Sequence, residues 1–408
     1  SLAIATLIAF IGWVTLVFST HYLHREPGFH RFFLAMSMFL AGMLLIVLAS
    51  NAVLAFVGWE LCGLASWALI GFSDERPVAT GNALYAFLAN RVGDAGFLLA
   101  IGLTFWWLGS AEWSAIASGT IPETVKARML ALGLVIAALA KSAQLPFTPW
   151  IARALEGPTP SSAVFYGAVM VHAGVFLLIR IGPLLMQVPD LAAGVALAGF
   201  ATALYAWFCG RVQTDVKSAL VYATVTQVGL MVAACGLGWF TLAAWHLALH
   251  AVWRAYQFLM APSYLLLAPR PARLPAVLTR SIPLYTAVLQ GFWLDRLARG
   301  LLLRPTLSLG HDMRRVDDQV IDRIVGVPQD APQADTGLVA AHGVAGRALL
   351  ACANLLQRIE DRIVVQVSDG IMARALRQTG QAIRVLEGLL EEPRYLMLMV
   401  MATFVVIL

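Results

Sequence analysis

Nine apolar runs, each near the length of a bilayer-crossing helix, fill the sequence up to residue 268. They lie at about 1–20, 32–50, 52–72, 83–108, 130–155, 161–187, 191–209, 218–236 and 240–268. Roughly 20 apolar residues cross the hydrocarbon core, where backbone groups must pair within the segment, so the runs predict helices. The expected fold class is all-α: a polytopic transmembrane helix bundle. Charge is distributed to match, since residues 1–268 hold 22 of the 51 acidic and basic residues and residues 269–408 hold 29. At 12% charged, against roughly 25% in soluble domains, a water-soluble enzyme is excluded.

Basic residues alternate between loops. Arg25, Arg31, Arg76, Arg153, Arg211, Lys217, Arg270, Arg273 and Arg280 fall on one side, and Lys126, Arg128 and Arg180 on the other. The positive-inside rule makes the first side cytoplasmic and predicts an integral membrane protein, with the bacterial inner membrane as its expected location. Set between apolar runs, these arginines determine topology, so the net charge of +5 does not indicate a nucleic-acid partner. Cys62, Cys209, Cys235 and Cys352 lie far apart without metal or disulfide spacing, and no metal or cofactor is expected. The chain lacks an initiator Met and its last apolar run, 395–408, has 14 residues, so a trimmed portion of a longer protein is expected.

The expected organisation is a transmembrane channel domain over 1–268, a linker and mixed polar region over 269–345, an amphipathic lateral helix over 346–394, and the start of a final crossing over 395–408. Leu355, Ile359, Ile363, Val367 and Ile371 recur at fourfold spacing in the third of these, with Arg358, Asp361 and Arg362 between them. About 45 helical residues would span about 68 Å, suited to lying along a membrane surface or a partner. Residues 282–303 contain Asp295, Arg296 and Arg299, so a clean crossing is not expected there. A single crossing would also leave Arg304, Arg314 and Arg315 outside. Either the segment does not cross, or an odd number of crossings is missing between 268 and 281.

An ionisable side chain at bilayer depth costs about 2.5–3.5 kcal/mol, so each one is a functional candidate with a partner to be found. The set is Glu60, Arg91, Asp94, Lys141, His172, His246, His250 and Arg254, with Lys217 at a helix start. Lys141 precedes Leu145-Pro146-Phe147-Thr148-Pro149. Each proline resists a continuous helix by about 3 kcal/mol, so Pro146 and Pro149 mark a hinge, which a bilayer tolerates where it faces protein or a wet cavity. Glu60 and Lys141 fit either a proton relay or a static ion pair. Arg91 and Asp94, three apart, fit an intrahelical pair or a relay. His246, His250 and Arg254 recur every four residues and share one helix face, which predicts a wetted interior seam; no Cys or carboxylate joins them to make zinc expected. His172 fits a satisfied core residue or a relay member. Asp215 and Lys217 fit a helix cap and a snorkelling cation, or a functional pair. The chain has no phosphate loop and no Ser-His-Asp set, and is not expected to be catalytic alone.

Four stretches together resemble the antiporter-like proton-channel family: Phe56-Val-Gly-Trp-Glu-Leu-Cys-Gly-Leu-Ala-Ser-Trp-Ala-Leu-Ile-Gly-Phe72, Asn90-Arg-Val-Gly-Asp-Ala-Gly-Phe97, Ala140-Lys-Ser-Ala-Gln-Leu-Pro-Phe147 and Glu156-Gly-Pro-Thr-Pro-Ser-Ser162. Its members include the distal L subunit of respiratory complex I, the large Mrp antiporter subunit and the membrane subunit of Dab-type inorganic-carbon uptake complexes. The resemblance covers residues 1–268. It implies that Glu60 corresponds to the glutamate of the family's fifth helix and Asp94 to the aspartate of its sixth. Lys141 corresponds to the lysine of the first broken helix, Lys217 to a lysine opening the tenth, and His246 and His250 to histidines of the eleventh. It further implies protons passing along a polar mid-membrane axis with Glu60–Lys141 as the input switch. The tail, including Ala375-Leu-Arg-Gln-Thr-Gly380, resembles the lateral helix and final anchor of the complex I subunit.

Three departures stand out. Tyr166 replaces a histidine frequent in the eighth helix, which would shift that duty to His172. Arg254 replaces a lysine, and arginine can tune neighbours but not deprotonate. The second broken helix and its neighbours are absent between Ala268 and Ser281, leaving the inverted repeat incomplete. The leading expectation is a proton-conducting membrane subunit in a multi-subunit complex with a soluble or peripheral partner, inorganic-carbon (CO2/bicarbonate) uptake being the coupled task by analogy. The first alternative is a proton-pumping L-type subunit of an NADH:quinone oxidoreductase-like complex, which would make it part of a translocase. The second is an inactive membrane scaffold. Histidines, and no oxygen-rich cage, favour H⁺ over Na⁺.

Overall fold

A computed structural model describes residues 1–118, 124–168, 170–267 and 275–316, together with residues 351, 354, 355 and 358. The chain forms two units, Ser1–Thr306 and Leu307–Leu408. The described part of the second is the end of a helix and those isolated positions, so nearly all of the expected lateral helix and the whole final run at 395–408 lie outside the described residues.

The first unit is built from helices α1 (Leu2–Tyr22), α2 (Phe29–Leu48), α3 (Ala52–Ile70), α4 (Pro77–Leu108), α5 (Trp113–Ser118), α6 (Thr124–Lys141), α7 (Pro149–Arg153), α8 (Thr159–Ser162), α9 (His172–Arg180), α10 (Gly182–Met186), α11 (Pro189–Arg211), α12 (Val216–Gly236) and α13 (Phe240–Leu267). Among the described residues, seven segments are long and apolar enough to cross a membrane: α1 to α4, residues 159–180, α11 and α12. The other two expected crossings fall on α6 and α13. α6 carries three charges, Lys126, Arg128 and Lys141, and α13 is made less apolar by His246, His250 and Arg254, which accounts for the shortfall from nine.

Local chemistry fixes the helix starts. Asn51 Oδ1 accepts from the Leu54 amide and Asp215 Oδ2 from the Ser218 amide, both at 2.8 Å, so Asp215 is a cap. Prolines sit in the first turns of α4, α7 and α11, where a missing N–H is harmless. Apolar helices gain little from burial against each other in lipid, so they associate through small residues that allow close approach. A Cβ added at Gly96 would lie 2.8 Å from the Gly133 carbonyl oxygen, and one at Gly133 would lie 2.6 Å from that of Gly96, locking α4 to α6. Gly199 and Gly229 interlock α11 with α12 in the same way. Large apolar residues such as Phe10, Trp13, Leu34, Trp106 and Leu249 face outward.

The polar ends pair as the loop alternation requires. Arg31 meets Asp74 at 2.6 Å and Arg76 meets Glu156 at 3.1 Å at one end. At the other, Arg128 meets Asp190 at 2.9 Å, and Arg180 donates to the carbonyls of Val47 and Ala49 that close α2.

The break after α6 is a built corner. Gln144 N–H donates to the Leu139 carbonyl at 2.8 Å and Ala143 N–H to that of Ala140 at 3.1 Å, the two bonds of a Schellman cap. Ala143 occupies its left-handed position at φ 50°. The Trp150 indole takes up the Ala140 carbonyl at 3.0 Å, and the Leu145 amide donates to Thr202 Oγ1 at 2.9 Å. The freed backbone groups are thus met by protein, and Lys141 is the last helical residue. A left-handed alanine costs about 1–2 kcal/mol, more than glycine's extra chain entropy. Ala143→Gly is expected to stabilise the fold by about 1 kcal/mol, read as a raised Tm in detergent; an unchanged or lowered Tm would count against this strain.

Residues 275–303 form short pieces: α14 (Ala276–Arg280), α15 (Ile282–Leu289) and α16 (Leu294–Ala298). Between α15 and α16, Gly291, Phe292 and Trp293 have φ of 55°, 51° and 56°, so the chain turns sharply. Eight helical residues rise about 12 Å, far short of a bilayer. The segment 282–303 is thus broken at 291–293, and no unbroken helix runs its length. α17 (Arg304–Val316) follows.

Candidate functional site

Three polar clusters line the first unit. The first joins α3, α4 and α6. Glu60 pairs with Arg91 Nη1, and Arg91 Nη2 lies 2.8 Å from Asp94 Oδ2, so the i, i+3 spacing does place Arg91 against Asp94. The Trp59 indole donates to Asp94 Oδ1 at 2.7 Å. Lys141 Nζ, fully buried, donates to the Trp59 carbonyl at 3.1 Å rather than to Glu60. The end of α6, where backbone carbonyls point outward, suits an ammonium. Exposure is graded: the Glu60 and Arg91 side chains are 32% and 30% exposed, and Asp94 5%. The polar track thus begins at the bundle surface and leads inward.

The second cluster joins α9, α12 and α13. His172 Nε2 and His250 Nδ1 lie 3.0 Å apart, and Arg254 Nε donates to His250 Nε2 at 3.4 Å. Arginine has no acceptor, so this bond requires the neutral imidazole with its proton on Nδ1, and His250 then donates to His172. His172 Nδ1 is left as a buried donor with no protein partner, a group that ordinarily finds water. His246 Nε2 lies 2.9 Å from Gln227 Oε1, and its ring meets that of His250 edge-on at 6.2 Å. The stripe at 246, 250 and 254 is therefore one interior seam. His172 sits where helical geometry is irregular, after a wider π-type turn over Ala163–Ala168. Tyr166, within that turn, donates to the Ile151 carbonyl at 2.8 Å and stacks on Phe258 at 5.0 Å, which ties it to α7 rather than to the histidines.

The clusters approach each other through backbone neighbours. Ser142, next to Lys141, donates to the carbonyl of Val171, next to His172, at 2.7 Å.

The third cluster lies at the end where Lys217 donates to Thr159 Oγ1 at 2.6 Å, an oxygen also 3.0 Å from Tyr22 Oη. A cavity of about 620 Å³ opens there, lined by Arg76, Asn82, Arg153, Glu156, Lys217 and Asp295 among others. Arg153 spans it, meeting Asn82 Oδ1 at 2.9 Å and both oxygens of Asp295 at 3.0 and 2.8 Å. Sequence reasoning missed Trp59, Gln227 and this network, since indoles, amides and loop arginines carry no signal of depth.

Asp295 gains from this arrangement. Partial burial raises its carboxyl, but the hydrogen bond and charge of Arg153 and the charge of Arg299 outweigh that and hold it below the usual carboxylate range. A depressed carboxyl contributes stability above its unfolded value of about 3.9 and loses it as pH falls through the folded value. Docking of residues 288–298 is expected to hold at pH 5–8 and loosen below about pH 4. A fall in amide protection there at low pH, taken relative to the intrinsic exchange rate and absent in Asp295→Asn, would show it; protection that does not change with pH would refute it.

Residues 49–290 match the family described as "NADH:quinone oxidoreductase/Mrp antiporter, TM", and residues 1–33 match "NADH-Ubiquinone oxidoreductase (complex I), chain 5 N-terminus". The chain is 41% identical over 263 residues to NADH-quinone oxidoreductase subunit L of Mycobacterium tuberculosis, covering 64% of this chain and 41% of that relative. It is 39% identical over 260 residues to the chloroplastic NAD(P)H-quinone oxidoreductase subunit 5 of Poa pratensis, covering 62% and 37%. Among solved structures, the Mrp complex from Dietzia sp. DQ12-45-1b aligns with a TM-score of 0.60 at 32% identity, over 62% of this chain and 28% of that one. The membrane-bound sulfane sulfur reductase, an archaeal respiratory membrane complex, shares the fold with a TM-score of 0.57 at 20% identity, over 66% and 46%. The chain spans less than half the length of the curated relatives it matches.

Proposed function

From the premise that the chain belongs to the NADH:quinone oxidoreductase/Mrp antiporter transmembrane family, we propose that it is a proton-conducting membrane subunit of the L type, working within a larger quinone-oxidoreductase-like complex. The observation that carries this is the burial of Lys141 and the His172–His250 pair within one bundle, joined through Ser142 and Val171. Charged groups at this depth are costly and serve as relays when they face one another.

Protons would pass from the surface pair Glu60–Arg91 through Asp94 and Lys141 to His172, His250 and His246. Each member has a role its chemistry allows. Asp94, Lys141 and the histidines can gain and lose a proton, while Arg91 and Arg254 hold a fixed charge that orients carboxylate and imidazole. His172 Nδ1, without a protein partner, is where a water would enter the chain. Lys217 and its cavity form the aqueous mouth on the cytoplasmic side. The expected input switch changes form: Glu60 acts on Lys141 through Arg91 and Asp94 rather than by direct contact.

The coupled task is assigned by relatives alone, and those are quinone-oxidoreductase and Mrp subunits. The L-type reading accordingly takes the place of inorganic-carbon uptake, which no residue of the site and none of these relatives supports. A half-exposed charged pair at membrane depth favours a neighbouring membrane subunit over Glu60–Arg91, and the bacterial inner membrane remains the proposed location. The direct test is proton flux into vesicles containing the protein, driven by a potential and read by an internal pH dye. Flux no greater than in empty vesicles would overturn the proposal.

A further inference from the structure

We propose that Trp59 is the positioning residue that sets the separation of Asp94 and Lys141. The inference rests on the proton-conduction reading and goes beyond it, because tryptophan cannot itself carry a proton. Three observations converge on one side chain. Its indole N–H donates to Asp94 Oδ1 at 2.7 Å. Its backbone carbonyl accepts from Lys141 Nζ at 3.1 Å, and its ring lies 5.0 Å from the same ammonium. The hydrogen bonds of Asp94 and of Lys141 therefore meet in one residue, which belongs to neither of their helices.

The ring is also immobilised. Trp59 is 1% exposed and packs edge-to-face on Phe97 at 5.3 Å, which packs on Phe56 at 5.4 Å. One turn on, Gly63 leaves the room the ion pairs need, since a Cβ there would lie 2.8 Å from Arg91 Nη2 and 3.6 Å from Lys141 Nζ. Helix α3 thus presents a stiff donor at 59 and an opening at 63 to the same cluster of Glu60, Arg91, Asp94 and Lys141. A buried donor aimed at one oxygen of a carboxylate fixes the orientation of that group. Trp59 holds the geometry, and Asp94 and Lys141 exchange the proton.

A structural tryptophan would make the same packing contacts, so the test separates its N–H from its shape. Flux is measured in vesicles against pH for wild type, Trp59→Phe, Asp94→Asn, the double variant and Phe97→Leu. Installing benzothienylalanine at position 59 keeps the bicyclic shape and removes only the donor, which covers the case where Trp59→Phe folds poorly. Losing a hydrogen bond to a charged group is expected to lower flux about tenfold and to displace the pH of half-maximal flux. The double variant is expected to be no worse than Asp94→Asn, and Phe97→Leu, which loosens the ring but keeps its donor, to displace the pH profile less than Trp59→Phe. Wild-type flux and pH profile in both donor-less variants would overturn the proposal, as would losses that multiply in the double variant. Asp94→Asn conducting like wild type would instead sink the relay reading, and this inference with it.

Discussion

Replacing Lys141 by alanine is expected to cut proton flux at least about a hundredfold while leaving the protein folded. Positioned acid–base groups contribute about 10²–10⁴ to proton-transfer rates. Lys141 shares Trp59 with Asp94 and adjoins the Ser142–Val171 contact, so it is placed to hand a proton from one cluster to the other. Its removal also relieves a buried charge, so the fold has little to lose. Lys141→Arg sharpens the test: it keeps the charge and its partners but cannot deprotonate, and is expected to conduct as poorly as alanine. Flux in potential-driven vesicles is the measurement, with circular dichroism as the control for folding. Substantial conduction by either variant would remove Lys141 from the pathway.

The second large effect is expected at His250, which contacts His172 through one nitrogen and Arg254 through the other. His250→Gln preserves a donor and an acceptor of similar reach but cannot exchange its proton at physiological pH. Flux is expected to fall by about a hundredfold. His246→Gln is expected to cost less, because His246 meets Gln227 at the side of the seam rather than bridging two titratable groups. Equal flux in His250→Gln and wild type would show that the imidazoles are packing residues.

How far the sequence revealed this arrangement depends on what each residue signals locally. The crossings were legible because lipid demands unbroken apolar runs. The seam at 246, 250 and 254 was legible because fourfold spacing on a helix is geometry. Pro146 and Pro149 marked the break, but not that Ala143 would supply its left-handed corner, since only tertiary contacts with Trp150 and Thr202 stabilise alanine there. Arg91 could be paired with Asp94 from spacing; its simultaneous contact with Glu60 needed the packing of α3 on α4. Asp295 read as an obstacle to a crossing. Its partner Arg153 is 142 positions away, and no local pattern announces a pairing at that distance.

That pairing has a mechanical consequence. α7 begins eight residues after Lys141, at the far side of the corner, and Arg153 closes it. Through Asp295, the far side of the corner is fastened to the start of α16, so Arg153 anchors two turns of the chain with one guanidinium, and a change that frees α16 also removes a support from the turn that follows the lysine.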